Sequence, residues 1–309
     1  MQVPQEKHPI FPPAGFILAG VFCYNSLMNM VKEIKVKSAL VVSKLPDADY
    51  VINPYTGCAF GCSYCYASFM GRFVGKKIDD WGNYVFVKVN LIEVLEKQLE
   101  KIKDKTKTIL LSSVTDPYQG IESKFQLTRG ALKLLIKYKW EGKIGVLTKS
   151  SLVLRDIDLF KKLKKVEVGL TITTTDDKVS QFLERSAPPA SLRLKALKKL
   201  NQEGIKTYAF VGPLLPHFSA TPEKLKEIFD ALKHAQVKEL YLEHLNLSTY
   251  VKGRLLKKLK GEQDQVIRRF YEAGKGEYKE KLNKVITELL KNYDFKIRLG
   301  EVLEHGKNS

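Results

Sequence analysis

Cysteine is scarce in this chain, with four in 309 residues and three of those inside one short stretch. That excludes a disulfide-stapled scaffold, and a disulfide within the trio would leave an odd thiol and strain a short loop. Histidine is nearly as sparse: five in all, and none within thirty residues of Cys65. A structural zinc site wants four protein ligands, and apart from distant Cys23 no fourth is at hand. Long apolar runs are also missing. Phe11 to Tyr24 is apolar but interrupted by Pro12, Pro13, Gly15 and Gly20, too short and too broken for a membrane span. Lys7 and His8 against Glu6 make a poor signal-peptide flank. Acidic residues are in deficit, 34 against 52 Lys plus Arg, for a net charge of +18. Such a balance favours polyanions such as nucleic acid, phosphorylated substrates or an anionic membrane surface. The lysines are scattered rather than blocked, which a merely solubilising surface would also show. No repeat of fixed short period is present.

What is there centres on Asn53-Pro54-Tyr55-Thr56-Gly57-Cys58-Ala59-Phe60-Gly61-Cys62-Ser63-Tyr64-Cys65-Tyr66-Ala67. Cys58, Cys62 and Cys65 are spaced C-x3-C-x2-C, and Gly57 and Gly61 let the backbone turn so that three thiolates converge. Tyr50-Val51-Ile52 before them reads as a strand, so this is a metal loop on a strand end. Three thiolates on a [4Fe-4S] cube leave one iron for a non-protein ligand, and thiolate suits iron–sulfur chemistry. Tyr64, just before the third cysteine, fits a loop that shields a cofactor face. Zinc or a purely structural thiol set are the alternatives. A cluster needs reduced thiols, which points to the cytoplasm.

Residues 1–30 read as a loose or over-extended tail, since Met28 and Met30 precede the first regular pattern; Cys23 then needs no role. Val31 to Leu45 reads as an extended arm or lead-in strand, and Phe69 to Val89 as a long loop ending in a strand. Strands and helices alternate from there. Strands are expected at 108–112, 143–148, 166–173, 205–211 and 239–243, and helices at 91–102, 128–138, 153–163, 191–202 and 221–235. Thr128 and Thr221 are the expected N-caps, and Gly204 closes the helix before it. Alternation of this kind implies a parallel sheet wrapped by helices. Residues 31–250 form the expected core domain, and 251–309 a Lys-rich appendage with helices at 263–273 and 278–290 and an extended end, packed across the open edge or mouth.

Further short motifs stand at the strand ends: Thr115-Asp116-Pro117-Tyr118-Gln119, Leu127-Thr128-Arg129, Thr148-Lys149-Ser150 and Arg155-Asp156-Ile157-Asp158. With the cysteine spacing, they make the chain resemble the radical S-adenosylmethionine (SAM) superfamily, in the branch of spore photoproduct lyase, over roughly residues 50 to 250. The resemblance implies an α/β fold, a partial (β/α)6 TIM-like barrel with a C-terminal helical and extended appendage. It implies a [4Fe-4S] cluster on Cys58, Cys62 and Cys65 whose free iron binds the amino and carboxylate groups of SAM. One electron, from a donor such as a flavodoxin or ferredoxin, then breaks the sulfonium bond to give a 5′-deoxyadenosyl radical. By the same resemblance Ser113, Thr115 and Asp116 meet the amino end of SAM, Lys149 the carboxylate, and Thr171 and Thr173 the ribose, with Tyr64 against the cofactor.

Strand-end hydroxyls as often cap helices or fill turns, and Asp116-Pro117 alone reads as a turn. Glu184 and Arg185 lie in a βα loop and read equally as substrate contacts or as a solvated charged loop. His217 is a lone loop histidine. Tyr118 and Gln119 are read as facing the mouth, and Tyr118 is a conceivable hydrogen-atom donor, with recycled 5′-deoxyadenosine the alternative. The lyase itself carries a cysteine just after its second strand, and Ser112-Ser113-Val114-Thr115 holds none. Thymine-photoproduct repair by that thiol is therefore not expected. Three functions are weighed. The first is a radical SAM enzyme on nucleic acid or a nucleotide, with Tyr66, Phe69, Phe73 and Trp81 interleaved with Arg72, Lys76 and Lys77 as a stacking surface. The second is a radical SAM enzyme on a small molecule or peptide, and the third a non-enzymatic iron–sulfur or zinc module.

Overall fold

The computed structural model describes residues 31–304, so the tail at 1–30 and Cys23 lie outside the described residues. Two strands, β1 (Val31–Ile34) and β2 (Leu40–Val42), come first, followed by β3 (Tyr50–Ile52) and β4 (Tyr55–Thr56). A 3-10 helix at Tyr66–Val74 leads to β5 (Val85–Lys88) and α1 (Leu91–Lys101). Then β6 (Ile109–Leu111), α2 (Glu122–Phe125), α3 (Leu127–Lys137), β7 (Ile144–Thr148) and α4 (Ile157–Phe160) follow. Next are β8 (Val166–Thr171), α5 (Asp177–Leu183), α6 (Ala190–Gln202), β9 (Thr207–Leu214), α7 (Pro222–His234) and β10 (Glu239–His244). The C-terminal part holds α8 (Thr249–Lys258), α9 (Asp264–Glu272), α10 (Gly276–Leu290) and β11 (Lys296–Ile297).

The main sheet has the order β11-β10-β9-β8-β7-β6-β3-β2. From β3 to β11 neighbouring strands are parallel, and β2 runs antiparallel at the edge. β3, β6, β7, β8, β9 and β10 are thus adjacent in chain order with helical crossovers between them, the expected six-stranded partial barrel. These strands are apolar along their length because both faces are covered. α1 shows the complementary pattern, burying Leu91, Leu95 and Leu99 on one stripe.

Several details differ from the expectations. The arm at 31–45 is extended as expected but divides into two strands of different sheets, β1 pairing with β5 in a small three-stranded sheet and β2 edging the barrel. The long loop after the cysteines is largely 3-10 helix, and the helix expected at 153–163 is a 3-10 turn followed by the short α4. Thr128 is not an N-cap: its hydroxyl donates to the Pro117 carbonyl at 2.6 Å, while its own amide donates to buried Glu122. Thr221 does cap α7, accepting from the Lys224 amide with Pro222 at the first helical position.

β11 adds a parallel strand beside β10 and carries the chain to Arg298. Arg298 pairs with Glu167 at 2.6 Å and lies over the rings of Tyr208 and Tyr241, 4.6 and 5.0 Å from their centroids. These groups plug the amino-terminal end of the barrel and leave chemistry to the other end. Among the described residues, no helix is long and apolar enough to cross a membrane.

Candidate active site

The cysteine loop leaves β4 through Gly57, whose φ of +89° suits only glycine, and a Cβ there would lie 2.6 Å from the Tyr84 ring. Gly82 packs so closely that a Cβ on it would sit 2.6 Å from the Cα of Gly61. Two side chains clamp the loop at Cys58. Gln119 is fully buried, accepts from the Ala59 amide at 2.9 Å and donates to the Gly57 carbonyl at 3.3 Å. Thr115 donates its hydroxyl to the same carbonyl at 2.5 Å and accepts from Gln119. The three thiols are unpaired, Cys58 and Cys62 buried and Cys65 partly so. Burial pushes Cys62 up to about 12, against which Lys149 pulls it down.

Lys149 stands at the carboxyl end of β7, its ammonium 5.6 Å from the centroid of the Tyr64 ring. Asp116 sets the register there: it accepts from the Thr148 hydroxyl at 2.6 Å, the Lys149 amide at 2.8 Å and the Tyr118 amide at 2.9 Å. Asp116 therefore positions Lys149, and both its carboxylate oxygens are occupied in doing so. Behind Tyr64 lies a buried ion pair. Glu184 accepts from the Tyr64 hydroxyl, from the Thr173 hydroxyl at 3.0 Å and from Arg193 Nη2. Arg193 also donates to the carbonyls of Pro188 at 2.8 Å and Thr171 at 3.2 Å. Glu184 is thus neither solvated nor a substrate contact; it is 0% exposed. Its neighbour Arg185 reaches Asn83 at 2.6 Å. Ser113, at the mouth, donates its amide to Asn53 at 2.9 Å and accepts the Tyr66 hydroxyl on its carbonyl.

Tyr118 requires a correction. It is 0% exposed and donates to Asp156 at 3.0 Å, so it faces the interior, not the mouth. Asp156 binds Arg129 at 2.5 Å and Arg155 at 2.9 Å, and Arg155 continues to Glu122 at 2.8 Å. Glu122 in turn takes the Tyr55 hydroxyl. The motifs at 115–119, 127–129 and 155–158 thus form one structural network beneath the cysteine loop. Trp81 is also corrected. It is 4% exposed, inside a second apolar core that joins Cys62 and Tyr64 to Val251 and Leu255 of α8.

The Radical SAM superfamily model matches residues 52–232. The chain belongs to the radical SAM superfamily. An uncharacterised protein of Methanocaldococcus jannaschii is 43% identical over 192 residues, 62% of this chain and 70% of that protein. Spore photoproduct lyase of Clostridium acetobutylicum is 25% identical over 223 residues, 69% of this chain and 61% of the lyase. A solved spore photoproduct lyase, complexed with dinucleoside spore photoproduct, shares the fold at a TM-score of 0.64 and 17% identity, covering 86% of this chain and 81% of that one. The chain is a radical SAM enzyme of spore photoproduct lyase-like fold.

Radical SAM enzymes use a [4Fe-4S] cluster and SAM, and three unpaired thiols on one loop fit the cluster. Among the described residues, no set of three or more His, Cys, Asp or Glu is grouped to hold a metal ion of the compact kind, whereas a cluster spreads its irons over a wider cube. Ser63, Ser68 and Tyr84, beside the loop, have buried hydroxyls without a partner in the protein. Orphaned donors around thiolates suit the sulfur acceptors of such a group. The sequence singled out the cysteines and Lys149, and the structure brings Lys149 beside the cysteine loop; the sequence showed no sign of Arg193 or of the positioning roles of Gln119 and Glu184. A buried polar clamp carries no local pattern; the glutamine's place four residues after Thr115 was the available signal.

Proposed function

We propose that Cys58, Cys62 and Cys65 hold a [4Fe-4S] cluster, that SAM binds at the mouth beside them, and that the substrate is nucleic acid. The observation that carries this reading is one loop of three unpaired thiols at the carboxyl end of the barrel, with the Lys149 ammonium next to it. When bound, the cluster and SAM supply a one-electron cleavage that gives a 5′-deoxyadenosyl radical. The protein's own part is positional. Gln119 and Thr115 fix the loop at Cys58, Asp116 aims Lys149 at the SAM carboxylate, and Ser113 offers a hydroxyl to the amino end. Thr115, Thr171 and Thr173 act through the groups they hold. The reduced thiols and the need for an electron donor such as a flavodoxin or ferredoxin fit a cytoplasmic enzyme. Anaerobic incubation with SAM and dithionite tests the reaction: 5′-deoxyadenosine supports it, and iron-loaded protein that yields none refutes it.

Lys149→Ala should weaken SAM binding by roughly ten- to a hundredfold with iron content unchanged, since one hydrogen bond to a charged group contributes about 1.5–3 kcal/mol. Equilibrium binding of SAM measures this. An unaltered affinity would make Lys149 a turn residue.

Nucleic acid is favoured by the net charge of +18 and by the face at Tyr66–Lys77. Phe73 is 64% exposed with the Arg72 guanidinium 4.8 Å from its centroid, and Tyr66 is 38% exposed. Exposed aromatics among cations stack bases and hold phosphate. The solved lyase's dinucleoside ligand agrees with that chemistry. Retention of single-stranded DNA or RNA should fall steeply with salt, because each phosphate contact releases counterions. Phe73→Ala should weaken it by about five- to a hundredfold, from a stacking contribution of about 1–3 kcal/mol. Salt-independent retention, or none, would turn the reading toward a small molecule or peptide.

A further inference from the structure

Arg254 is far from the cysteines in sequence, yet its side chain reaches their loop. Its Nη2 donates to the Cys62 carbonyl at 3.0 Å and its Nη1 to the Ile78 carbonyl at 2.9 Å. α8 is held in place for this by Val251 and Leu255, buried in the second apolar core with Cys62 and Tyr64. The third nitrogen, Nε, is buried and has no partner in the protein. Neither contact is with a carboxylate, and Asp79, an acid whose charge it feels, is paired with Lys257 at 3.2 Å. A guanidinium remains charged, and a half-buried charge with a fully buried nitrogen gains from a counter-charge. The negative groups at hand are the thiolates of the loop it holds.

We propose that Arg254 is the charge partner of the iron–sulfur group: a positioning residue that grips the Cys62 backbone and sets a fixed positive charge beside the thiolates. This rests on the reading that the trio holds a [4Fe-4S] cluster. Reduction brings in one electron from an external donor, dithionite in the test, and no bond forms or breaks. The site gains one negative charge, which a nearby cation with a free N–H stabilises, so Arg254 raises the reduction potential. The C-terminal part would thereby tune the centre as well as cover it.

The test uses full-length wild type, Arg254→Lys and Arg254→Gln, reconstituted anaerobically, with iron and sulfide counted. Each is titrated with dithionite and followed by electron paramagnetic resonance, with no SAM present. At the wild-type midpoint, Arg254→Gln should show a reduced-to-oxidised ratio about tenfold lower, equivalent to about 59 mV for a one-electron couple, while Arg254→Lys stays within about threefold. An Arg254→Gln ratio that stays within that threefold, or an equal fall in both variants, overturns the proposal. If Arg254→Gln takes up no iron, Arg254→Lys decides: loading with a near-wild-type ratio supports the role of charge, and failure to load overturns it. Wild type that takes up no iron overturns the proposal through the cluster reading, whereas loaded wild type with unshifted variants overturns this proposal alone.

Discussion

Alanine at Cys58, Cys62 or Cys65 is expected to leave the anaerobically reconstituted protein without stoichiometric iron and to reduce SAM cleavage to background. Each substitution removes one of three thiolates for which the loop offers no replacement: the chain has five histidines, none near in sequence, and its fourth cysteine is Cys23. The loss should be specific. The loop backbone is held by Gln119, Thr115 and Arg254, contacts that do not use the thiols. Circular dichroism and the thermal transition of the protein without iron should therefore match wild type. The measurements are iron per chain and 5′-deoxyadenosine formed with dithionite. Iron-dependent cleavage surviving in any one variant would remove that cysteine from the ligand set, and stoichiometric zinc in place of iron would remove the cluster.

These three residues stood out because a tight loop of closely spaced cysteines is a local object. Spacing, two turn glycines and a preceding strand all lie within a few residues of one another. The barrel strands were legible for a similar reason, since a strand buried on both faces announces itself as a short apolar run, as Ile109–Leu111 and Ile144–Thr148 do. Long-range pairing has no such signature. Arg193 sits among the lysines of an ordinary amphipathic helix, and Glu184 in a charged stretch that read equally as a substrate contact or a solvated loop. Only the fold brings them together behind Tyr64. Tyr118 misled because its neighbours Thr115 and Gln119 do turn toward the loop, while its own hydroxyl goes to buried Asp156. β11 lies within the end expected to be extended, but its pairing with β10 had no local signature, and Arg254 was one cation among many. The motifs at 127–129 and 155–158 were visible as a resemblance, but their work, a carboxylate–guanidinium lattice under the loop, was visible only in three dimensions.

Arg193→Met should destabilise the protein by about 3–5 kcal/mol, because it leaves Glu184 buried without its main counter-charge. Both side chains are fully buried in the native fold. Glu184→Gln on the same background should recover most of the loss, as the amide can keep the Tyr64 and Thr173 hydroxyls as partners without a charge. The pH dependence carries the sign. In wild type, burial works to raise Glu184, but Arg193 and then Lys149 outweigh it and hold the carboxyl below its ordinary range. A depressed carboxylate contributes stability above its unfolded value of about 4.3 and loses it as pH falls through the folded value. Without Arg193 burial prevails, the folded value rises above the unfolded one, and the variant regains stability as Glu184 takes up a proton. The gap between wild type and Arg193→Met should therefore narrow from about pH 8 toward about pH 5 in denaturant titrations. A gap that stays constant over that range, or a Glu184→Gln change that fails to restore stability, would mean that Arg193 stabilises through its carbonyl contacts and packing and not through the ion pair.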